Sequence, residues 1–237
     1  MIDVALLVSA AGRYEMEITQ KQALLLDKYA QFLVEYNEKV NLTAITQPDE
    51  IVIKHFIDSM LLLRYYNAPV GAKLCDVGSG AGFPGVVAAV MRPDLKICLL
   101  DSLNKRIVFL RQLCEMLEVG VQCVHIRAEQ AGTDSAFRES FDIVTARAVA
   151  PLAQLAEYCL PLCGMGGAFL ALKGIQSEQE LTEALPAIKV LGGGVATVHR
   201  YDLGESGKRT LIEIKKISQT PTIYPRTQSK IASKPII

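Results

Sequence analysis

The sequence predicts an α/β protein: a mostly parallel seven-stranded sheet closed by an antiparallel C-terminal hairpin, with a helical extension ahead of it. Three observations carry this. No strand signal precedes residue 72. From there, short apolar runs alternate with helix-period segments, which is the pattern of βαβ units. The last two runs are separated only by a loop holding Gly204 and Gly207, so they pair antiparallel.

Taken in order, residues 18–40 carry Leu24, Leu25, Tyr29, Phe32, Leu33 and Tyr36 at helical spacing. A second helix follows over 48–66, opened by Thr46 and Pro48. The strand runs are KLCDV, KICLLD, VQCVHIRA, FDIVTAR, GAFLALKG, GVATVHRYDL and TLIEIKKI. Helices are expected over 84–92, 103–117, 151–162 and 176–185, with an irregular link after the third strand. Residues 218–237 hold three prolines and little periodicity, and read as a loosely ordered tail. The expected organisation is a helical extension over 1–70, the α/β domain over 71–217 and a basic tail over 218–237.

The bulk numbers fit a packed globule: of 237 residues, 50% are apolar and 21% charged. No apolar run reaches the ~20 residues a membrane helix needs. The start MIDVALLVSAAG lacks a basic leader and is interrupted by Asp3, so it makes a poor signal peptide. The expectation is a cytoplasmic monomer. The six cysteines form no CxxC pair and read as reduced core thiols, with no metal site. Net charge is zero but uneven. Nine acids face five bases through residue 60, whereas seven bases and one acid follow from Lys208. A basic end on a neutral chain suits an anionic partner, and a solvated tail equally.

Chemistry concentrates at LCDVGSGAGFPG, residues 74–85. In an open parallel sheet, ligands bind beyond the carboxyl ends of the strands. Gly78, Gly80 and Gly82 let the backbone turn sharply and approach a ligand, and Pro84 suits a helix start. Two ligands compete. Gly80 to Gly85 satisfies GxGxxG, and Asp101 at the next strand's end suits a ribose hydroxyl, as in a dinucleotide site. Asp76, however, would repel a pyrophosphate. It would attract the ammonium and sulfonium of S-adenosylmethionine, directly or through water, so a cationic adenosyl cofactor explains the turn better. After the third strand, Ala128 and Glu129 face the same crevice, where Glu129 suits an adenine amino group; as a lone acid it equally suits solvent.

Together, DVGSGAGFPG, DSLNKRIVFL, RAE, FDIVTARAVAPL and LKG resemble the RsmG (GidB) family. NEKVNLTAI and KHFIDS upstream, and IYPRTQSKIASKP downstream, are similar to its terminal motifs, so the resemblance runs from about residue 18 to the end. It implies a class I, Rossmann-like, S-adenosyl-L-methionine-dependent methyltransferase fold. It also implies methylation of N7 of one guanosine in bacterial 16S ribosomal RNA. Carried over, Gly78 and Phe83 line the cofactor turn, Asp101 meets the ribose, Ala128 and Glu129 bracket the adenine, and Arg147 stands at the mouth. The tail departs from the family: Thr227 to Ile231 replaces a Gly-x-Pro-x-Lys pattern.

Guanine N7 offers a lone pair and has no proton to lose, so no general base is required. Alignment is the main task. Arg147 is expected to pair bidentately with the methionine carboxylate or an RNA phosphate; an ion pair at a strand end is the plainer alternative. Lys105, Arg106, Lys173, Arg226, Lys230 and Lys234 are candidate phosphate contacts, Lys105 and Arg106 equally a solvated helix start. His55 and Asp58, a helical turn apart, are candidates to support the mouth from the N-terminal helices. Phe83, Tyr201 and Tyr224 are the aromatics placed to stack on a splayed base. Two rival readings stay open: a dinucleotide-dependent oxidoreductase, and a non-catalytic RNA-binding module of ribosome assembly.

Overall fold

The computed structural model describes residues 1–175 and 177–236. Helix α1 (Val4–Gly12) is capped by Asp3, whose side chain accepts from the Ala5 and Leu6 amides, and it buries Leu7, Ala10 and Ala11. The segment read as a poor signal peptide is therefore a third N-terminal helix. Helix α2 (Gln20–Asn37) starts at a capping box between Thr19 and Gln22. A continuous helical stretch then comprises α3 (Pro48–Glu50), a π-helical segment (Ile51–Ile57) and α4 (Asp58–Tyr65). π segments recur at functional sites, and this one carries His55.

The α/β part runs β1 (Lys73–Val77), α5 (Gly85–Met91), β2 (Lys96–Asp101), α6 (Asn104–Met116), β3 (Val121–His125), a one-turn α7 (Ala128–Ala131), β4 (Phe141–Arg147) and α8 (Leu152–Cys159). It continues with β5 (Cys163–Lys173), α9 (Ser177–Val190), β6 (Gly193–Asp202), β7 (Lys208–Lys216) and α10 (Gln228–Ser233). The expected start of α9 at residue 176 lies outside the described residues. Its expected end at 185 is overrun: α9 continues through Pro186 because Ala187 and Ile188 still have a core face to bury.

The seven strands lie in the order β3-β2-β1-β4-β5-β7-β6. Strands β1 to β5 pair in parallel, and β7 runs antiparallel to both β5 and β6. The C-terminal hairpin therefore folds back, with β7 inserted and β6 at the edge. The order reverses between β1 and β4, which opens a crevice at their carboxyl ends.

Strand alternation assigns the residues to two cores. Leu74, Ile97, Leu99, Ile143, Ala168 and Leu170 meet the N-terminal helices, α5 and α6. Cys75, Cys98, Leu100, Val144, Phe169 and Ala171 meet α8 and α9. By the same parity Asp76, Asp101 and Arg147 belong to the first face. Asp76 and Asp101 thereby meet α5 and the start of α6, and Arg147 meets the N-terminal helices.

The C-terminal segment is packed, not loose. Lys216, buried on β7, donates to the Leu160 and Leu191 carbonyls at 2.9 Å. Arg138 donates to the carbonyls of Thr220 at 2.7 Å and Tyr224 at 2.9 Å. Arg226 pairs with the buried Glu157, and α10 buries Ile231. These long-range polar anchors replace the hydrophobic periodicity that the segment lacks.

Candidate active site

The turn from β1 to α5 is held from below. The amides of Gly78 and Ser79 both donate to the Leu100 carbonyl, at 2.8 and 3.1 Å, which ties the turn to β2. Gly78 has φ +71°, and a Cβ there would stand 2.8 Å from Val149. Gly82 has φ +98°, and a Cβ there would stand 2.6 Å from the Tyr29 hydroxyl. The reason for glycine thus differs between them. Gly78 lines the crevice. Gly82 lets Tyr29 of α2 reach over the turn and donate to the Ala81 carbonyl at 2.5 Å. This is a packing role.

Asp76 also departs from expectation. It is fully buried beneath the turn, where its Oδ2 accepts from the Gly85 amide at 3.0 Å. It does not face the crevice. Burial pushes its carboxyl up to about 7, against the opposing pull of the Gly85 amide and Arg147. Its Oδ1 is buried without a hydrogen-bond partner.

Asp101 sits at the head of β2. Its Oδ2 accepts from the Gly80 amide at 2.9 Å and its Oδ1 from the Leu103 amide at 2.9 Å. With Gly78, Ala128 and Glu129 it lines a cavity of about 240 Å³. A second cavity of about 470 Å³ shares Gly78, Asp101, Ser102 and Val149 with the first, and adds Gly80, Phe83, Arg106 and Arg147. A third of about 420 Å³ shares His55, Arg147 and Ala148 with the second, and adds Lys54, Lys173 and Arg209. The three form a row along the carboxyl edge of the sheet.

Arg147 stands between the second and third cavities. Its Nη1 donates to Asp58 Oδ2 at 3.0 Å and to the Lys54 carbonyl at 3.1 Å; its Nη2 lies 3.1 Å from His55 Nδ1. Its guanidinium lies 4.9 Å from the centre of the Phe83 ring. The plainer expectation, an ion pair at a strand end, is what the structure contains, and its partner comes from the N-terminal helices. Asp58 is itself held by Tyr201, whose hydroxyl donates at 2.9 Å to Oδ1. His55 stacks on Phe83 with ring centres 4.2 Å apart, and Phe83 stacks on Tyr29 at 5.1 Å. Burial and the neighbouring Arg147 depress the His55 imidazole to about 3, so it is neutral at physiological pH.

The candidate RNA contacts divide. Lys105, Lys230 and Lys234 are exposed. Arg106 turns inward, with Nη1 3.4 Å from Asp101 Oδ2 and a buried, unpartnered Nε. Lys173 is paired with Glu180 at 2.6 Å and donates to the Ala150 carbonyl at 2.7 Å. Arg226 is consumed by Glu157 at 2.6 Å. Of the aromatics, Tyr201 and Phe83 are buried and unavailable to stack on a base from solvent, and Tyr224 is half-buried. Sequence reasoning missed Val149, Glu157 and Arg138 entirely, because only the fold brings them to their partners.

An open sheet in this order, with a glycine turn after β1 and an acid closing β2, defines a class I S-adenosylmethionine-dependent methyltransferase. The residues fit that cofactor: an acid with an orphaned buried oxygen under the turn, an acid at the head of β2 lining the cavity, and inward-facing arginines in the adjoining cavity. The chain belongs to the rRNA small subunit methyltransferase G family, whose model matches residues 22–211. A relative named ribosomal RNA small subunit methyltransferase G, from Desulforamulus reducens, is 43% identical over 232 residues, or 97% of each chain. One of the same name from Staphylococcus saprophyticus is 46% identical over 238 residues, covering 100% of this chain and 99% of its own. A solved methyltransferase from Pyrococcus furiosus, 14% identical, shares the fold with a TM-score of 0.54 over 79% of this chain and 98% of its own.

Proposed function

We propose that this protein methylates N7 of one guanosine in 16S ribosomal RNA. The observation that carries the choice of atom is the state of the bases in the central cavity. The titratable bases that line it and the adjoining third cavity among the described residues, His55, Asp101, Asp58 and Glu180, are already engaged, the last two with Arg147 and Lys173. The His55 nitrogens lie against Arg147 and Thr43, at 3.1 and 3.0 Å. Both Asp101 oxygens accept backbone amides. A site with no spare base suits an acceptor nitrogen that has no proton to remove.

When bound, S-adenosylmethionine supplies an electrophilic methyl group on a sulfonium. The chain's own residues bind and align. Asp101 takes the ribose hydroxyls, Ala128 and Glu129 take the adenine, and the backbone of Gly78 and Gly80 forms the floor. Asp76 supplies negative potential from beneath. Arg106 and Arg147 offer guanidiniums to the methionine carboxylate. The third cavity receives the target nucleoside, with Lys54 and Arg209 at its rim for flanking phosphates. A base must leave its stack to enter it. Alignment of this kind supplies roughly 7–11 kcal/mol of the barrier.

Incubation of the protein with methyl-tritiated cofactor and small ribosomal subunits, followed by nuclease digestion and chromatography, tests the reading. Label should elute as 7-methylguanosine. Label on any other nucleoside would refute the choice of atom, and no transfer to RNA would refute the activity.

A further inference from the structure

The cavity that holds Asp101, Ala128 and Glu129 has one wall that does not belong to the α/β domain. Gln228 and Ala232 of α10 line it, opposite Gln154 and Tyr158 of α8. The sequence offered this segment as a basic tail with candidate RNA contacts, yet Arg226 and Ile231 are turned to the protein. Arg226 makes three hydrogen bonds to Glu157: from its backbone amide and Nε at 2.8 Å, and from Nη2 at 2.6 Å. Glu157 is 1% exposed, so this is a desolvated anchor and not a surface pair. One turn further on, Ile231 is 0% exposed, the single fully buried side chain of α10. Across the mouth, Arg127 donates through Nη1 to Gln228 Oε1 at 2.5 Å, joining α10 to the loop that follows β3.

From this geometry we infer that α10 is a removable wall of the cofactor cavity, docked by Ile231 and anchored by the Arg226–Glu157 pair, and that it holds the adenosyl end in place. The inference rests on the reading of this cavity as the adenosine site. Its logic is energetic. A helix of six residues is far too short to persist alone in water, so α10 exists as a helix only while docked. Its docking rests on one buried aliphatic side chain, the Arg226–Glu157 anchor and the Arg127–Gln228 hydrogen bond, a small share of the contacts that hold the whole. Local opening of this segment is therefore accessible without global unfolding. A ligand that touches the docked wall must favour the docked state, and the undocked state must release it faster.

The test uses the full chain and S-adenosylhomocysteine, with no turnover. Truncating Ile231 to Ala removes the docking contact, whereas Ile231→Val keeps most of it. Titration calorimetry should show the Ala variant binding about tenfold more weakly, with faster dissociation, and the Val variant within about threefold of the unchanged protein. The melting temperature should move by only a few degrees, because α10 opens locally. In the unchanged protein, S-adenosylhomocysteine should slow amide exchange across residues 228–234 by at least about tenfold. Equal affinity in the Ala variant, or exchange indifferent to the ligand, would overturn the inference. If the unchanged protein did not bind S-adenosylhomocysteine at all, the cofactor reading itself would fail.

Discussion

Arg147 and Asp58, 89 residues apart in the chain, form an ion pair at 3.0 Å that ties the last residue of β4 to the first residue of α4. Both are largely buried, with 14% and 7% of their side chains exposed. The pair fixes the guanidinium at the boundary of two cavities, beside a neutral histidine and over the face of Phe83. The N-terminal helices thereby build the site as well as cover it.

A lysine cannot reproduce this fork. Arg147→Lys keeps the charge but cannot reach Asp58, His55 and the Lys54 carbonyl together. Methyl transfer should fall at least about tenfold. Asp58→Ala leaves the guanidinium buried without its counter-charge and should lower stability by about 3 kcal/mol. Urea denaturation and single-turnover transfer check the two claims. A fully active Lys variant would refute the role given to this three-partner fork.

His55 and Asp76 should both contribute to the pH dependence on the acid side, with opposite signs. The His55 imidazole lies near 3 in the folded protein against an ordinary 6.5, so between those values the unfolded chain binds more protons. This group's contribution to stability therefore falls as pH drops below 6.5, with a slope approaching about 1.4 kcal/mol per pH unit near pH 5. Asp76 opposes it over the same range, so it is read as the difference in slope between the unchanged protein and a His55 variant. Urea midpoints between pH 7 and 4.5 measure it. His55→Gln should be less stable at pH 7 and show a shallower slope. An unchanged slope would show that other groups dominate.

Asp76 gives the opposite sign. With its carboxyl raised to about 7, its contribution to the stability of the ligand-free protein is full at low pH and is lost as pH rises through 7. A cation bound above the turn should favour the ionised form and release up to about half a proton at pH 7. Calorimetry of S-adenosylmethionine binding in buffers of different ionisation enthalpy reads that proton. Asp76→Asn should bind more weakly and release none. Release identical to that of the unchanged protein would remove Asp76 from the cofactor's field.

Gly82 and Gly80 should part company. Alanine at 82 meets Tyr29 and Val86 and needs φ +98°, whereas alanine at 80 meets only the Gly78 carbonyl, at 3.8 Å. Gly82→Ala should lower stability by roughly 2–4 kcal/mol, and Gly80→Ala by about 1 kcal/mol from its backbone alone. Thermal melts separate them, and equal losses would contradict the packing role given to Gly82.

Much of the frame is readable from the residues. Alternating apolar runs announce β1 to β7, and the missing helix between the last two announces their antiparallel pairing. The same topology brings Gly78, Asp101, Ala128 and Glu129 to one cavity, since each follows or ends a strand at the same sheet edge. What the sequence hides is which charges find partners. Lys173, Arg226 and Arg106 look alike as free cations in a string of letters. Glu180, Glu157 and Asp101 claim them only once helices and strands are packed. Asp76 shows the same limit in reverse: its place before a glycine turn is legible, but its burial is not. The insertion of β7 inside β6 and the docking of α10 likewise depend on contacts between residues far apart in the chain.

The most direct test is made on cellular RNA. Borohydride–aniline cleavage with reverse-transcription mapping should find one 7-methylguanosine in 16S RNA that vanishes when the gene is deleted, returns with the intact gene, and stays absent with an Asp101→Ala copy expressed at equal level. A pattern of 7-methylguanosine that is the same with and without the gene would contradict the account.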